Sequence, residues 1–155
     1  MIFDKSIMKE TNSCIECSQK PIVYIPYLEK HLCEDHFIKF IEERVKSEIS
    51  EQIKIKKGKI AVGLSGGKDS SVLLYLLSKY FKGNDVEIAA ITVDEGIAGY
   101  REKTIKSAEK LTNELGISHY IVKLSDIVGV TMDYVASKDD ELKPCTYCGV
   151  WRRKP

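Results

Sequence analysis

Three groups of residues have types and spacings that could do chemistry. The first is Ser65-Gly66-Gly67-Lys68-Asp69-Ser70. Adjacent glycines let a chain turn tightly and bring backbone N–H groups against a ligand, which makes an anion site, and above all a phosphate site, where a helix begins at the same point. The second group is Cys14-Ile15-Glu16-Cys17 and, after a gap of fifteen residues, Cys33-Glu34-Asp35-His36. Knuckles of the forms C-x2-C and C-x2-H each present two soft or borderline donors to one ion, the tetrahedral arrangement that zinc takes. Four ligands leave no open position, so the site is read as structural. His31 is the rival fourth donor; His36 is preferred because it repeats the spacing of the first knuckle, and His31 is taken as a surface residue. The competing reading is thiols that are simply buried or redox-active. The third group is Cys145-Thr146-Tyr147-Cys148, entered from Pro144, with both sulfurs on one side. These two thiols read equally as a redox pair, as half of a metal site shared across a dimer, or as two ligands of an iron–sulfur cluster.

The elements that must position these groups follow from hydrophobic patterning. Residues 59–64 form an apolar run that predicts a buried strand, and the spacing over 71–77 predicts a helix, so the Ser65 loop sits between a strand and a helix N-terminus. A Walker A loop needs four residues between its first glycine and Gly-Lys; here only Leu64, Ser65 and Gly66 separate Gly63 from Gly67-Lys68, and Asp69 takes the place of Ser or Thr. The dinucleotide fingerprint G-x-G-x-x-G is absent as well. The plainer alternative is a glycine turn with N-capping serines and no ligand. After a turn at 83–85, a second buried strand is expected over 86–93, then a loop over 94–101, a helix over about 100–115 closed by Gly116, and a third strand over 119–124. Strands alternating with helices predict a parallel sheet covered on both faces, with ligands beyond the C-terminal strand ends, where the Ser65 and Asp94 loops both lie.

The rest of the chain is read more simply. Residues 1–13 are expected to be a flexible leader and 14–36 a zinc-finger module. An amphipathic connecting helix over 37–57 follows, with Phe37, Ile38, Phe40, Ile41, Val45, Ile49 and Ile53 near one face, ending at Lys56-Lys57-Gly58. His119 is taken as a packed or surface histidine. Residues 125–141 are mixed and acidic, with a short helix near 132–137. At 155 residues and 43% hydrophobic content the chain can bury one modest core, and its net charge of +1 gives no overall argument for a nucleic-acid partner. Five cysteines, an odd number, in two clusters and without a secretory signal point to metal rather than to a disulfide framework, and to a cytoplasmic protein with no membrane span.

Ser65-Gly66-Gly67-Lys68-Asp69-Ser70 resembles the SGGxDS signature of the PP-loop ATP pyrophosphatases at every specified position. Taken with the zinc knuckles before it and the Cys-x2-Cys-Gly pair with basic residues after it, the chain resembles the TtuA/TtcA group of tRNA 2-thiolation enzymes over about residues 14–153. Val93-Asp94-Glu95-Gly96-Ile97 with Gly99-Tyr100-Arg101 resembles that group's second ATP-facing loop. The resemblance implies an α/β chain: a zinc-finger module followed by a Rossmann-like, adenine nucleotide alpha hydrolase-like PP-loop domain over 58–155. It implies Zn2+ on Cys14, Cys17, Cys33 and His36. ATP would lie on Ser65, Gly66, Gly67, Lys68, Asp69 and Ser70, with Asp94 and Gly96 opposite and Mg2+ on the phosphates. Cys145 and Cys148 would be two of three cysteine ligands of a 4Fe-4S cluster. Lys68, Asp69 and Arg152 would serve catalysis, Arg152 near the adenylated base. The implied reaction adenylates the C2 oxygen of a uridine and then transfers sulfur to C2. Its partners would be tRNA, which Lys20 and Lys30 beside the knuckles could contact, a sulfur-carrier protein or other sulfide donor, and a second copy in a homodimer. Family members continue for another stretch that carries more of the sheet, the third cluster cysteine and a catalytic aspartate, so the expectation is a C-terminally truncated domain. The rival readings are a different PP-loop adenylating or amidotransferase-like enzyme, and a non-catalytic fragment that binds zinc and nucleotide.

Overall fold

A computed structural model describes residues 13–97, 99, 101–138, 143–151 and 153. The leader expected over 1–13 lies, but for Ser13, outside these residues. The chain divides into two compact units, Met1–Lys54 and Ile55–Pro155.

The first unit is a hairpin and a long helix. Strand β1, Val23–Ile25, pairs antiparallel with β2, Lys30–Leu32, with Val23 opposite Leu32 and Tyr24 opposite His31. A single 3-10 turn, Pro26–Leu28, joins them; Pro26 supplies the fixed φ at its start, and Glu29 reverses the chain in the left-handed region at φ 52°. Helix α1, Glu34–Gln52, starts on Cys33 as N-cap and carries Glu34 and Asp35 in its first turn, where acidic groups suit the positive end of the helix dipole. The core of this unit is Cys14, Ile25, Leu32 and Cys33, with Cys17, Val23, Phe37 and Phe40 packed against it. Three of its eight members are thiols. Helix α1 ends at Gln52, short of the expected 57, because Lys57 already belongs to the next strand and the extended backbone must begin before it.

The second unit is built on a three-stranded parallel sheet in the order β3-β4-β5: Lys57–Gly63, Asp85–Asp94 and Ser118–Lys123. Helix α2, Lys68–Phe81, connects the first two strands, and α3, Arg101–Leu115, the second and third. Gly116 closes α3 at φ +66°. Three short helices follow: α4, Leu124–Val128; α5, Met132–Ala136, capped by the Thr131 hydroxyl; and α6, Pro144–Trp151. Paired positions in a parallel sheet share a face. Val62, Ala90 and Thr92 are buried on the face that the crossover helices cover, beneath Leu74, Leu76, Leu77 and Phe81 of α2 and Ala108 and Thr112 of α3. On the other face Lys59, Ala61, Glu87 and Tyr120 are exposed. Coverage of both faces, expected from the alternation of strands and helices, is therefore corrected: in the described residues α2 and α3 share one face. Right-handed crossovers that move in one direction across a sheet put their helices on the same side, and the second side is reached only where the strand order reverses.

Candidate functional site

The Ser65 loop leaves the C-terminal end of β3 and enters α2, whose N-cap is Gly67. No side chain caps that end, so the first-turn N–H groups of α2 face outward with Lys68 and Asp69, both exposed. The loop serines, N-caps in the ligand-free alternative, bond within the loop instead. Ser65 N–H donates to Ser70 Oγ at 3.2 Å, the two hydroxyl oxygens lie 3.0 Å apart, Gly67 N–H donates to Ser65 Oγ at 3.3 Å and Ser70 Oγ donates to Gly67 O at 3.1 Å. Gly66, at φ +79°, has no room for a side chain: a Cβ there would meet the Thr104 carbonyl oxygen at 2.1 Å.

Beside it, at the end of β4, Asp94 accepts the Gly96 N–H at 2.9 Å through Oδ1, and Gly96 at φ +70° lies against Thr131. Two charged residues of this second loop are buried, and the sequence assigned neither a role. Glu95 is 2% and Arg101 7% exposed, and Arg101 Nε meets Glu95 Oε2 at 2.5 Å. Arg101 also donates from Nη1 to Ser65 O at 3.4 Å and from Nη2 to Val93 O. The signal that could have revealed the pair is two opposite charges flanking a loop between a buried strand and a helix. Below the loop, Thr92 Oγ1 donates to Leu64 O at 2.6 Å and lies 2.7 Å from Nε2 of His119, which is packed rather than turned toward the loop.

In the first unit, Cys14, Cys17, Cys33 and His36 converge with all four donor atoms within 4.8 Å of one another. His36 Nδ1 stands 3.6 Å from Cys14 Sγ, 3.5 Å from Cys17 Sγ and 3.2 Å from Cys33 Sγ, and the sulfurs of Cys17 and Cys33 are 3.7 Å apart. A tetrahedron with zinc–sulfur bonds of about 2.3 Å and zinc–nitrogen bonds of about 2.0 Å has edges of about 3.8 and 3.5 Å, so the donor set fits that ion. Burial raises the Cys14 thiol, but the backbone N–H groups of Cys33 and Glu16, with the Cys33 and Cys17 side chains, outweigh it and lower the group from 9.0 to about 6. Cys17 is pulled down by Gln19 N–H, yet burial and the neighbouring Cys33 and Cys14 leave it raised. His31 lies outside the cluster, its ring 4.6 Å from that of Tyr24 across the hairpin.

Cys145 and Cys148 lie one turn apart on α6, the first exposed and the second half-buried. Burial pushes the Cys148 thiol up, the charge of Cys145 adds to this, and the Arg101 guanidinium offsets part of it. Arg101, which also bonds the Ser65 loop, thus acts electrostatically on Cys148. Arg152 lies outside the described residues. No helix among the described residues is long and apolar enough to cross a membrane.

The PP-loop domain family matches residues 38–137. The chain is 39% identical over 150 residues to the tRNA 2-thiolation protein NcsA of Haloferax volcanii, covering 90% of this chain and 46% of that one. It is 35% identical over 141 residues to the tRNA-5-methyluridine(54) 2-sulfurtransferase of Pyrococcus horikoshii, covering 90% and 43%. Among solved structures it is similar to the U34-tRNA thiolase NcsA from Methanococcus maripaludis with its [4Fe-4S] cluster, at 36% identity and a TM-score of 0.79 over 92% of this chain and 48% of that one. The chain spans just under half the length of these relatives.

Proposed function

We propose, from the premise that this chain belongs to the PP-loop domain family, that it is the ATP-using part of a tRNA 2-thiolation enzyme. The observation that carries the reading is the Ser65 loop at the C-terminal end of β3, with its outward-facing helix N–H groups, in a chain 35 to 39% identical to proteins named for this reaction. The C2 oxygen of a uridine is a poor leaving group. In the proposed reaction it attacks the α-phosphorus of ATP, an O–P bond forms, the α–β bond breaks and pyrophosphate leaves. Sulfide then attacks C2, the C–O bond breaks and AMP departs. Lys68 and the N–H groups of the first turn of α2 would bind the charge that grows on pyrophosphate, a contribution that costs no reorganisation because the donors are already aimed. Asp69, exposed in the same turn, and Asp94 across the loop would hold Mg2+, which supplies further neutralisation of the phosphates.

The knuckles would hold Zn2+ and fix the hairpin, with Lys20 and with Lys30, which pairs with Glu16 at 3.4 Å, available to tRNA phosphates. Cys145 and Cys148 supply two thiolates toward a 4Fe-4S cluster, which when bound offers an open iron for sulfide. The third cluster thiolate that the resemblance implies is not among the chain's other three cysteines, which form the knuckle set. Arg152 is assigned to the adenylated base by resemblance alone. The working protein would be a cytoplasmic homodimer served by a sulfur-carrier protein or another sulfide donor.

The test uses the protein as its cell makes it, reconstituted anaerobically with iron and sulfide. Pyrophosphate release that needs tRNA and is abolished by Asp69→Ala is expected, together with 2-thiouridine in the recovered tRNA. Release driven by a small carboxylate without tRNA would replace this reading with that of another adenylating enzyme.

A further inference from the structure

Three parts of the second unit meet at one side chain. The guanidinium of Arg101 reaches the carboxylate of Glu95 in the second loop, the carbonyl of Val93 at the end of β4 and the carbonyl of Ser65 at the entry to the phosphate loop. Ser65 is 36 residues away along the chain. Ser65 O precedes Gly66, and Gly66 itself rests on the backbone of Thr104, one turn into the helix that Arg101 begins. The start of α3 is thus a floor for the loop, and Arg101 fastens the loop to that floor. The carboxylate that neutralises the fork is buried with it. Breaking such a pair from one side strands a charge, so the two residues act as a unit. A planar fork with five donors can serve three acceptors in three directions, whereas an ammonium on a flexible stem cannot hold them in one fixed geometry.

We propose that Arg101, neutralised by Glu95, is the positioning residue of the phosphate loop: it fixes the Ser65 carbonyl so that the N–H groups that follow are held in place before a nucleotide arrives. The purpose given to the loop rests on the ATP reading above; the fastening does not. Pre-ordering of this kind lowers the entropy cost of binding, and its loss appears as weaker affinity for a ligand that Arg101 itself does not touch.

The experiment uses the 155-residue chain, native and as Arg101→Lys, Arg101→Gln and Glu95→Gln, in two arms. Without nucleotide, 15N relaxation of the amides of residues 65–67 should show order parameters near about 0.85 in the native chain, falling below about 0.6 in both Arg101 variants, while those of β4 and the interior of α2 stay put. With ATP, calorimetry should show the dissociation constant rising about tenfold in Arg101→Lys, the scale of one lost charge-assisted hydrogen bond. Should Arg101→Gln unfold the unit, Glu95→Gln keeps the side-chain shape and an acceptor oxygen and carries the same test with a smaller loss. Loop order and ATP affinity that match the native chain in Arg101→Lys and Glu95→Gln would overturn the proposal. Failure of the native chain to bind ATP, with the loop still loosened by the variants, would remove the nucleotide reading and leave the fastening established by relaxation.

Discussion

The chain carries the same spacing, Cys-x2-Cys, at both ends of its described residues, and the two copies have different surroundings. Cys14 and Cys17 sit on a turn whose backbone N–H groups point at sulfur, backed by a hairpin and by the first turn of α1, which brings Cys33 and His36 into reach. Cys14 and Cys33 are 3% and 2% exposed and form the centre of a small core. Cys145 and Cys148 lie on a helix with one sulfur exposed, and the other three cysteines of the sequence belong to the first site. The spacing only ensures that two sulfurs share a side. Whether they become a closed structural site is decided by what the fold brings to the other side.

The difference is broken most severely at the closed site. Cys33→Ala should reduce bound zinc from about one per chain to almost none, with loss of the amide signals of Tyr24 and Leu32 in the hairpin. Structural zinc contributes about 10–16 kcal/mol in small metal-folded modules, and this core of eight residues has little else to hold it. Full zinc occupancy by metal analysis in that variant would erase the contrast.

A smaller effect, again confined to the first pair, follows from pH. With Cys14 lowered to about 6, its thiolate is present above that pH and takes up a proton as pH falls through it. Zinc must displace that proton, so affinity measured against a chromophoric chelator should fall more steeply below about pH 6, by a further factor of about ten per unit. Cys17, raised from its ordinary value, is still a thiol at pH 7 in the metal-free protein. Zinc binding at pH 7 should therefore release a proton, visible as a calorimetric enthalpy that depends on the ionisation heat of the buffer.

Thiol labelling sharpens the comparison further. In the zinc-loaded chain only Cys145 and Cys148 should react with an alkylating reagent at pH 7, and Cys145 first, because burial raises Cys148 and leaves less of it as thiolate. Peptide mass mapping over time reads the order. The smallest effect is expected from Cys145→Ser, an exposed change that should alter the urea midpoint by less than the equivalent of about 0.5 kcal/mol and leave zinc content intact.

What was legible in the sequence was what depends on near neighbours. The knuckles need only two tight turns and a helix start, and the Ser65 loop only a strand, two glycines and a helix, so spacing placed the local structure of both. Facts that depend on distant parts of the chain were not readable. The side of the sheet on which each helix falls follows from strand order, which no local pattern encodes, and so the expectation of two covered faces failed. The 36-residue reach from Arg101 to Ser65 is of the same kind: the arginine was visible within a loop motif, but its acceptor was not. The end of α1 was misplaced because Ile53 continues the apolar stripe past the point where the backbone has already left the helix.

The hydroxyl of Thr92 has one hydrogen, and it is committed to the Leu64 carbonyl. His119 Nε2 can then approach that oxygen at 2.7 Å only by bringing a hydrogen of its own. This single atom count fixes the tautomer: neutral His119 carries its proton on Nε2 and presents Nδ1 as the lone pair, the less usual arrangement being shut out by a threonine on the neighbouring strand. The imidazole thereby becomes a spectroscopic reporter. Its two 15N shifts should register any movement of the Leu64 carbonyl, one residue before the loop, without a label on the loop itself.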